Sequence, residues 1–273
     1  MNLTKERIQK MTIFQAVILG IVQGLTELLP ISSSAHLAVF PWIFDWSEIP
    51  ESFDIALHFG TLLAISLFFI KDWIALIKGG FNQVFKKEKT VEGKMFWYLV
   101  IATIPAGILS LVLDKLSSMI FGGSMFPIAI ALIVMGIVLY SIDKNAKSDT
   151  SYENMSLLQA VLIGISQAIA AAFPGVSRSG ITMTVARSLG IDRESAAKYS
   201  FLLSTPIILA AVIFSLDAFS FSLAFLVGVL ASFVVGIVVI KFLLEYLKKG
   251  SFKGFAIYRM VFGVIILILL FVR

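Results

Sequence analysis

Hydropathy along the chain rises in eight long apolar segments, near residues 12–29, 53–70, 95–113, 124–141, 156–173, 199–214, 221–244 and 255–272. A helix crossing a bilayer needs about 20 apolar residues, so six of these read as full spans. The segments at 12–29 and 156–173 are different, because each ends in a Pro followed by a Ser-rich polar tract: PISSSAH at 30–36 and PGVSRSG at 174–180. Laid over one another at an offset of 144, AVILGIVQGLTELLPISSSA (16–35) and AVLIGISQAIAAAFPGVSRS (160–179) coincide without a gap at Gln15/Gln159, Gly20/Gly164, Gln23/Gln167, Pro30/Pro174 and Ser33/Ser177, and Thr61/Thr205 continues the register. Shared Leu and Ala are expected between any two apolar helices. Shared Gln, Gly, Pro and Ser in one frame point to an internal duplication.

Pro-interrupted apolar segments at matching positions of two halves are the sequence form of re-entrant helices, which put ligand sites near the bilayer midplane. Irregular backbone at that depth must be buried in protein or face a wet cavity. The pattern therefore predicts an all-α integral membrane protein with an inverted-topology repeat. Each half (about 12–141 and 156–272) holds a re-entrant helix pair plus three transmembrane helices in one membrane domain, and the odd number of spans inverts the second half.

Composition agrees. Of the 273 residues, 59% are hydrophobic and 14% charged, with mean hydropathy +0.97, which excludes a solvated globular or disordered chain. The net charge of +5 is read as a report of membrane orientation, not of nucleic-acid binding. The absence of Cys excludes disulfides, thiolate metal sites and a Cys nucleophile. The basic start MNLTKERIQKM leads into an apolar run that contains Gln23, Thr26 and Glu27 and no small-residue cleavage site, so it is expected to be retained, not removed as a signal peptide. The connection at 71–94 carries six Lys and the 241–254 connection four, so both are expected on the cytoplasmic side. The stretch at 41–54 has four acids and no base, and the 215–220 turn only Asp217. Span counting then puts 41–54, a turn at 114–123 and both termini outside, with 142–155 inside; Lys5, Arg7 and Lys10 run against an external N-terminus.

The polar residues left at membrane depth carry the chemistry. Gln23 and Glu27 in QGLTE are four apart and share a helix face. A carboxylate there costs a few kcal/mol and marks an ion, proton or substrate site, unless nearby Ser hydroxyls simply cap it. Pro30 ends one helix, and a second half-helix is expected to open around Ser33, with His36 one turn in, beside the same site. In PGVSRSGIT (174–182), Ser177, Ser179 and Thr182 supply hydroxyls, Arg178 a charge, and the following helix should run from about Ser179 to a stop at Gly190. A helix N-terminus beside a guanidinium is an anion site suited to phosphate; the plain alternative is an Arg reaching to a lipid headgroup. The repeat sets Arg178 opposite Ser34. Glu27 is then a candidate base or metal ligand facing an anion clamp, which suits phosphoryl transfer or phosphate-ester hydrolysis. His58, four residues after Asp54, reads more readily as structural than catalytic.

QGLTE followed by LPISSSAHL, FDIALHFGT and PGVSRSGIT resembles, in order and spacing and over essentially the whole chain through FAIYR at 255–259, the bacterial undecaprenyl-diphosphate phosphatases of the BacA type. The resemblance implies hydrolysis of undecaprenyl diphosphate to the monophosphate and inorganic phosphate, which recycles the carrier lipid for peptidoglycan synthesis and underlies bacitracin resistance. It also implies a divalent cation, Mg2+ or Ca2+. The implied setting is the bacterial cell membrane, with the site opening to the external side, membrane lipids as surroundings, no nucleic-acid partner, and a homodimer left open. Matching positions give Glu27, Ser33, His36 and Arg178 as catalytic and Gln23, Ser177, Ser179 and Thr182 as substrate-binding, with Glu27 also toward the metal. Ser33 is the preferred nucleophile, with attack by His36 or water still open. Many members carry Glu where this chain has Gln23, and Gly where it has Ala35, so one carboxylate is missing from any two-carboxylate metal site. A secondary transporter or lipid flippase for an anion shares the repeat architecture, and Ser with His at membrane depth also fits an intramembrane serine protease.

Overall fold

A computed structural model describes residues 11–47, 49–121, 124–215 and 222–273. The described residues form α1 (Ile13–Thr26), α2 (Ser33–Ile43), α3 (Glu51–Phe68), α4 (Ile70–Phe85), α5 (Val91–Phe121), α6 (Met125–Asn145), a 3-10 turn (Tyr152–Asn154), α7 (Leu157–Ala172), α8 (Arg178–Ser188), α9 (Arg193–Phe214), α10 (Leu223–Leu247) and α11 (Lys253–Val272). Six helices, α3, α5, α6, α9, α10 and α11, are long and apolar enough to cross a membrane, while the apolar α1 and α7 are shorter. Large apolar side chains such as Phe14, Leu111 and Phe214 face outward, as a lipid-facing surface requires.

The two halves repeat the same local devices. Thr12 and Ser156 each cap their helix, completed by Gln15 and Gln159 in reciprocal capping boxes. Ser32 and Ser177 cap α2 and α8 from left-handed backbone, at φ 77° and 73°, and accept from Ala35 N and Gly180 N. A non-glycine residue held there is strained by roughly 1–3 kcal/mol, and the hydroxyl cap offsets part of it. The first helices thus keep the 144-residue offset, but the second helices are offset by 145, since Ser32 pairs with Ser177. This corrects the ungapped match of Ser33 with Ser177. The structural counterpart of Arg178 is Ser33, not Ser34.

Packing follows the same scheme: α1 lies along α10 and α7 along α5, while α6 lies along α11. Gly20 and Gly164 permit the first two approaches; a Cβ would stand 2.6 Å from Gly228 O in one and 2.6 Å from Ala102 O in the other. Close backbone approach through small residues substitutes for the hydrophobic effect where lipid already surrounds the helices.

Two expected connections are helical. Residues 70–85 form α4, packed on α5. Its Lys71, Asp72 and Lys78 lower the mean hydropathy and hid an apolar face that includes Trp73, Leu76 and Phe81. The turn expected at 114–123 is shortened, because α5 continues to Phe121. Residues 122–123, the 216–221 segment with Asp217, and Lys5, Arg7 and Lys10 lie outside the described residues.

Candidate active site

The two polar breaks meet at one carboxylate. Glu27 follows α1 as its C-cap and is 8% exposed. Its Oε1 accepts from the guanidinium of Arg178, the first residue of α8. Its Oε2 accepts from the hydroxyl of Ser33, the first residue of α2, at 2.5 Å. Structurally equivalent residues of the two halves thus engage the same acid from two helix N-termini, where free N–H groups and the helix dipole favour an anion. Gln23, one turn back on α1, brings its Nε2 to 3.4 Å from the same Oε2.

The structure adds His58 to this group. Its Nδ1 donates to Asp54 O at 2.9 Å and its Nε2 stands 3.5 Å from Glu27 Oε2. The sequence pattern places His36 beside the site, but His36 is 2% exposed and its ring nitrogens are engaged elsewhere. Its Nδ1 donates to Ser32 O at 2.7 Å, its Nε2 lies 2.7 Å from the Tyr258 hydroxyl, and the ring stacks on Phe262 with centroids 4.4 Å apart. The signal that could have found His58 was its i,i+4 spacing from Asp54 in an otherwise apolar span.

The remaining expected residues build the second break. Ser179 donates to Glu27 O and is also 3.1 Å from Leu29 O, which ties α8 to the end of α1. Ser177 Oγ lies 3.2 Å from Ser179 Oγ. Thr182 is fully buried, donates to Arg178 O at 2.9 Å and lies 2.6 Å from Ser200 Oγ on α9, so it anchors the helix behind the site. Gly175, at φ 94°, makes the turn before Ser177, and a Cβ there would stand 2.7 Å from Ile128 O. Arg259, the last residue of FAIYR, lies on α11. It is fully buried and donates to Pro30 O (3.1 Å), Gly175 O (3.0 Å) and Val176 O (2.7 Å), clamping both breaks together.

Glu27, Ser33, Asp54, His58, Ser177 and Arg178 line a cavity of about 350 Å³ whose other walls include Ile207, Ile208 and Val212. An open depression of about 900 Å³, which carries Asp45, Glu51, Trp42 and Trp46, shares Ser34 and Asp54 with it. Among the described residues no three His, Asp or Glu side chains converge as a cation cage. Both Glu27 oxygens already accept protein hydrogen bonds, which disfavours it as a metal ligand. Asp54 is the second carboxylate on the cavity wall; its side chain is 41% exposed, and it pairs only loosely with His58, at 3.8 Å. A partly exposed carboxylate on the cavity wall is an oxygen donor of the kind a hard divalent cation takes.

The family model described as bacitracin resistance protein BacA matches residues 16–265. The chain belongs to the BacA family. It is 47% identical over 262 residues to an undecaprenyl-diphosphatase of Pelotomaculum thermopropionicum, covering 95% of this chain and 97% of the relative. It is 47% identical over 263 residues to one of Caldicellulosiruptor bescii (94% and 97%), and 42% identical over 266 residues to one of Moorella thermoacetica (96% and 100%). Both breaks, His58 and Arg259 fall inside the segment that the BacA family model matches. Family and helices together make this a multi-pass membrane protein.

Proposed function

We propose that the chain hydrolyses undecaprenyl diphosphate to undecaprenyl phosphate and inorganic phosphate, recycling the carrier lipid for cell-wall polymer synthesis. The observation that carries this reading is the Glu27 carboxylate held between Ser33 and Arg178 at two helix N-termini, on a cavity with apolar walls. The polyprenyl tail lies against those walls and in lipid, and the diphosphate takes the polar end.

In the reaction, Ser33 Oγ attacks the terminal phosphorus while its proton passes to Glu27 Oε2, already its hydrogen-bond acceptor. The P–O bond to the bridging oxygen breaks, and undecaprenyl phosphate leaves with that oxygen. Water then attacks the phosphoserine, Glu27 returns the proton to the departing Ser33 oxygen, and the water's oxygen and protons leave with inorganic phosphate, which restores Ser33 and the Glu27 carboxylate. Arg178 shifts from Glu27 to the phosphoryl oxygens and, with the N–H groups opening α2 and α8, stabilises their growing charge. Gln23 and His58 hold the Glu27 carboxylate toward Ser33. His36 acts as a positioning residue, fixing the strained Ser32 carbonyl beside the nucleophile. Ser177 and Ser179 shape the phosphate cradle, and Thr182 secures it to α9.

A divalent cation, Mg2+ or Ca2+, would sit with Asp54 rather than Glu27. There it would neutralise diphosphate charge. The second half runs inverted to the first, and the site opens to the external face of the bacterial cell membrane. The acidic depression beside it and the Lys-rich 71–94 segment support that orientation. The direct test is an acid quench during turnover of substrate labelled in its terminal phosphate. Label on Ser33 is expected; steady phosphate release with no acid-stable label on the protein would remove Ser33 as the nucleophile.

A further inference from the structure

Gln167 sits on α7 in the wall of the same cavity and is 3% exposed. Neither its Oε1 nor its Nε2 has a hydrogen-bond partner. A buried amide left unpaired at both ends destabilises the fold, and an apolar side chain at this place on an apolar helix would avoid that. Its counterpart 144 residues earlier, Gln23, turns its amide toward Glu27. In the second half the position equivalent to Glu27 is Ala171, also on the cavity wall, so the matching acid is absent and the amide has nothing of the protein's own to bind. Buried polar groups in folded proteins are satisfied with few exceptions, and exceptions beside a cavity are met by what enters it.

The cavity chemistry indicates what that is. Arg178 and Ser177 share its wall with Gln167, so the incoming group is one already attracted by a guanidinium and two helix N-termini: a phosphate. We propose that Gln167 is a substrate-binding residue whose Nε2–H donates to a phosphate oxygen of the diphosphate, on the side of the cavity away from Glu27. This rests on the phosphatase reading above. It makes the duplicated glutamine asymmetric in use: Gln23 steadies the base, and Gln167 steadies the substrate. Its carbonyl oxygen is available to a protonated phosphate oxygen or to water held with it.

The consequence is a trade between stability and binding, because removing both unpaired groups relieves the empty protein and handicaps the loaded one. The experiment measures thermal unfolding of the purified full-length protein in detergent, with and without inorganic pyrophosphate, for wild type, Gln167→Leu and Arg178→Ala, together with steady-state kinetics on a long-chain prenyl diphosphate. The expected Gln167→Leu protein unfolds at or above the wild-type temperature without ligand, loses most of the pyrophosphate-induced shift, and raises KM by about 10- to 100-fold. A Gln167→Leu protein that is less stable when empty yet keeps the full pyrophosphate shift and KM would overturn the proposal and make Gln167 structural. If Arg178→Ala loses the shift while Gln167→Leu keeps it, the phosphate site stands and only the glutamine's role fails. If pyrophosphate stabilises neither the wild type nor any variant, the phosphatase reading of this cavity fails and this proposal with it.

Discussion

Replacing Arg178 by Ala is expected to lower phosphate release from a long-chain prenyl diphosphate by about 10²- to 10³-fold, the range found when one preorganised donor to a developing oxyanion is removed. The guanidinium is poised for this. It opens α8, bonds Glu27 Oε1 before substrate arrives, and borders the cavity with Ser33. The planar fork matters as much as the charge, so Arg178→Lys should recover only part of the rate, since an ammonium has no rigid pair of parallel N–H groups to meet two phosphoryl oxygens in one fixed geometry. Glu27→Gln should lose a similar factor for a different reason, since an amide cannot take the Ser33 proton. The two effects should not add, because both residues act in one step on neighbouring atoms. Rates within a few-fold of wild type in Arg178→Ala would remove the clamp from the mechanism.

The second large effect concerns stability and lies away from the cavity. Asp143, near the end of α6, is 3% exposed; its Oδ1 accepts from Arg187 Nε at 2.9 Å and Arg193 Nε at 2.7 Å, and its Oδ2 from Phe252 N at 3.0 Å. Arg187 is fully buried and also donates to Ala146 O (3.1 Å), Lys147 O (3.0 Å) and Ile191 O (2.5 Å). One carboxylate therefore joins the ends of α6 and α8 to the starts of α9 and α11. Asp143→Ala leaves a buried guanidinium without its counter-ion, a loss of about 3–5 kcal/mol, and should lower the unfolding temperature in detergent by on the order of 10 °C. Asp143→Asn keeps an acceptor and should lose less. Neither Asp143 nor Arg187 borders the cavity, so the surviving folded fraction should keep its KM. An Asp143→Ala protein that melts with the wild type would show that the network adds nothing net.

Much of the fold was legible because a bilayer simplifies the signal. Apolar runs gave the six crossing helices, and two Pro breaks gave the short α1 and α7 with their half-helix continuations. What escaped followed from signals that compete. The Lys residues that mark 71–94 as a basic connection also lowered its hydropathy and concealed α4. An ungapped alignment matched Ser33 to Ser177, whereas the capping hydroxyls pair Ser32 with Ser177, and only that one-residue shift makes Ser33 and Arg178 equivalents around Glu27. Side-chain direction was the least legible quantity. Spacing alone put His36 one turn into α2, but the rotation of that helix turns its ring to Tyr258 and Phe262, and His58, on another span, faces Glu27 instead. Arg259 lies in FAIYR, but nothing local shows what it holds, since its three carbonyl partners come from two segments more than 80 residues away in sequence.

The most direct measurement is the time course of inorganic phosphate release from undecaprenyl diphosphate by the purified protein in detergent micelles, where no gradient or second compartment exists. Hydrolysis at the Glu27–Ser33–Arg178 site predicts continuous release of one phosphate per monophosphate lipid formed, over many turnovers. Substrate that binds and stays intact, with no phosphate released over many times the expected turnover time, would contradict it.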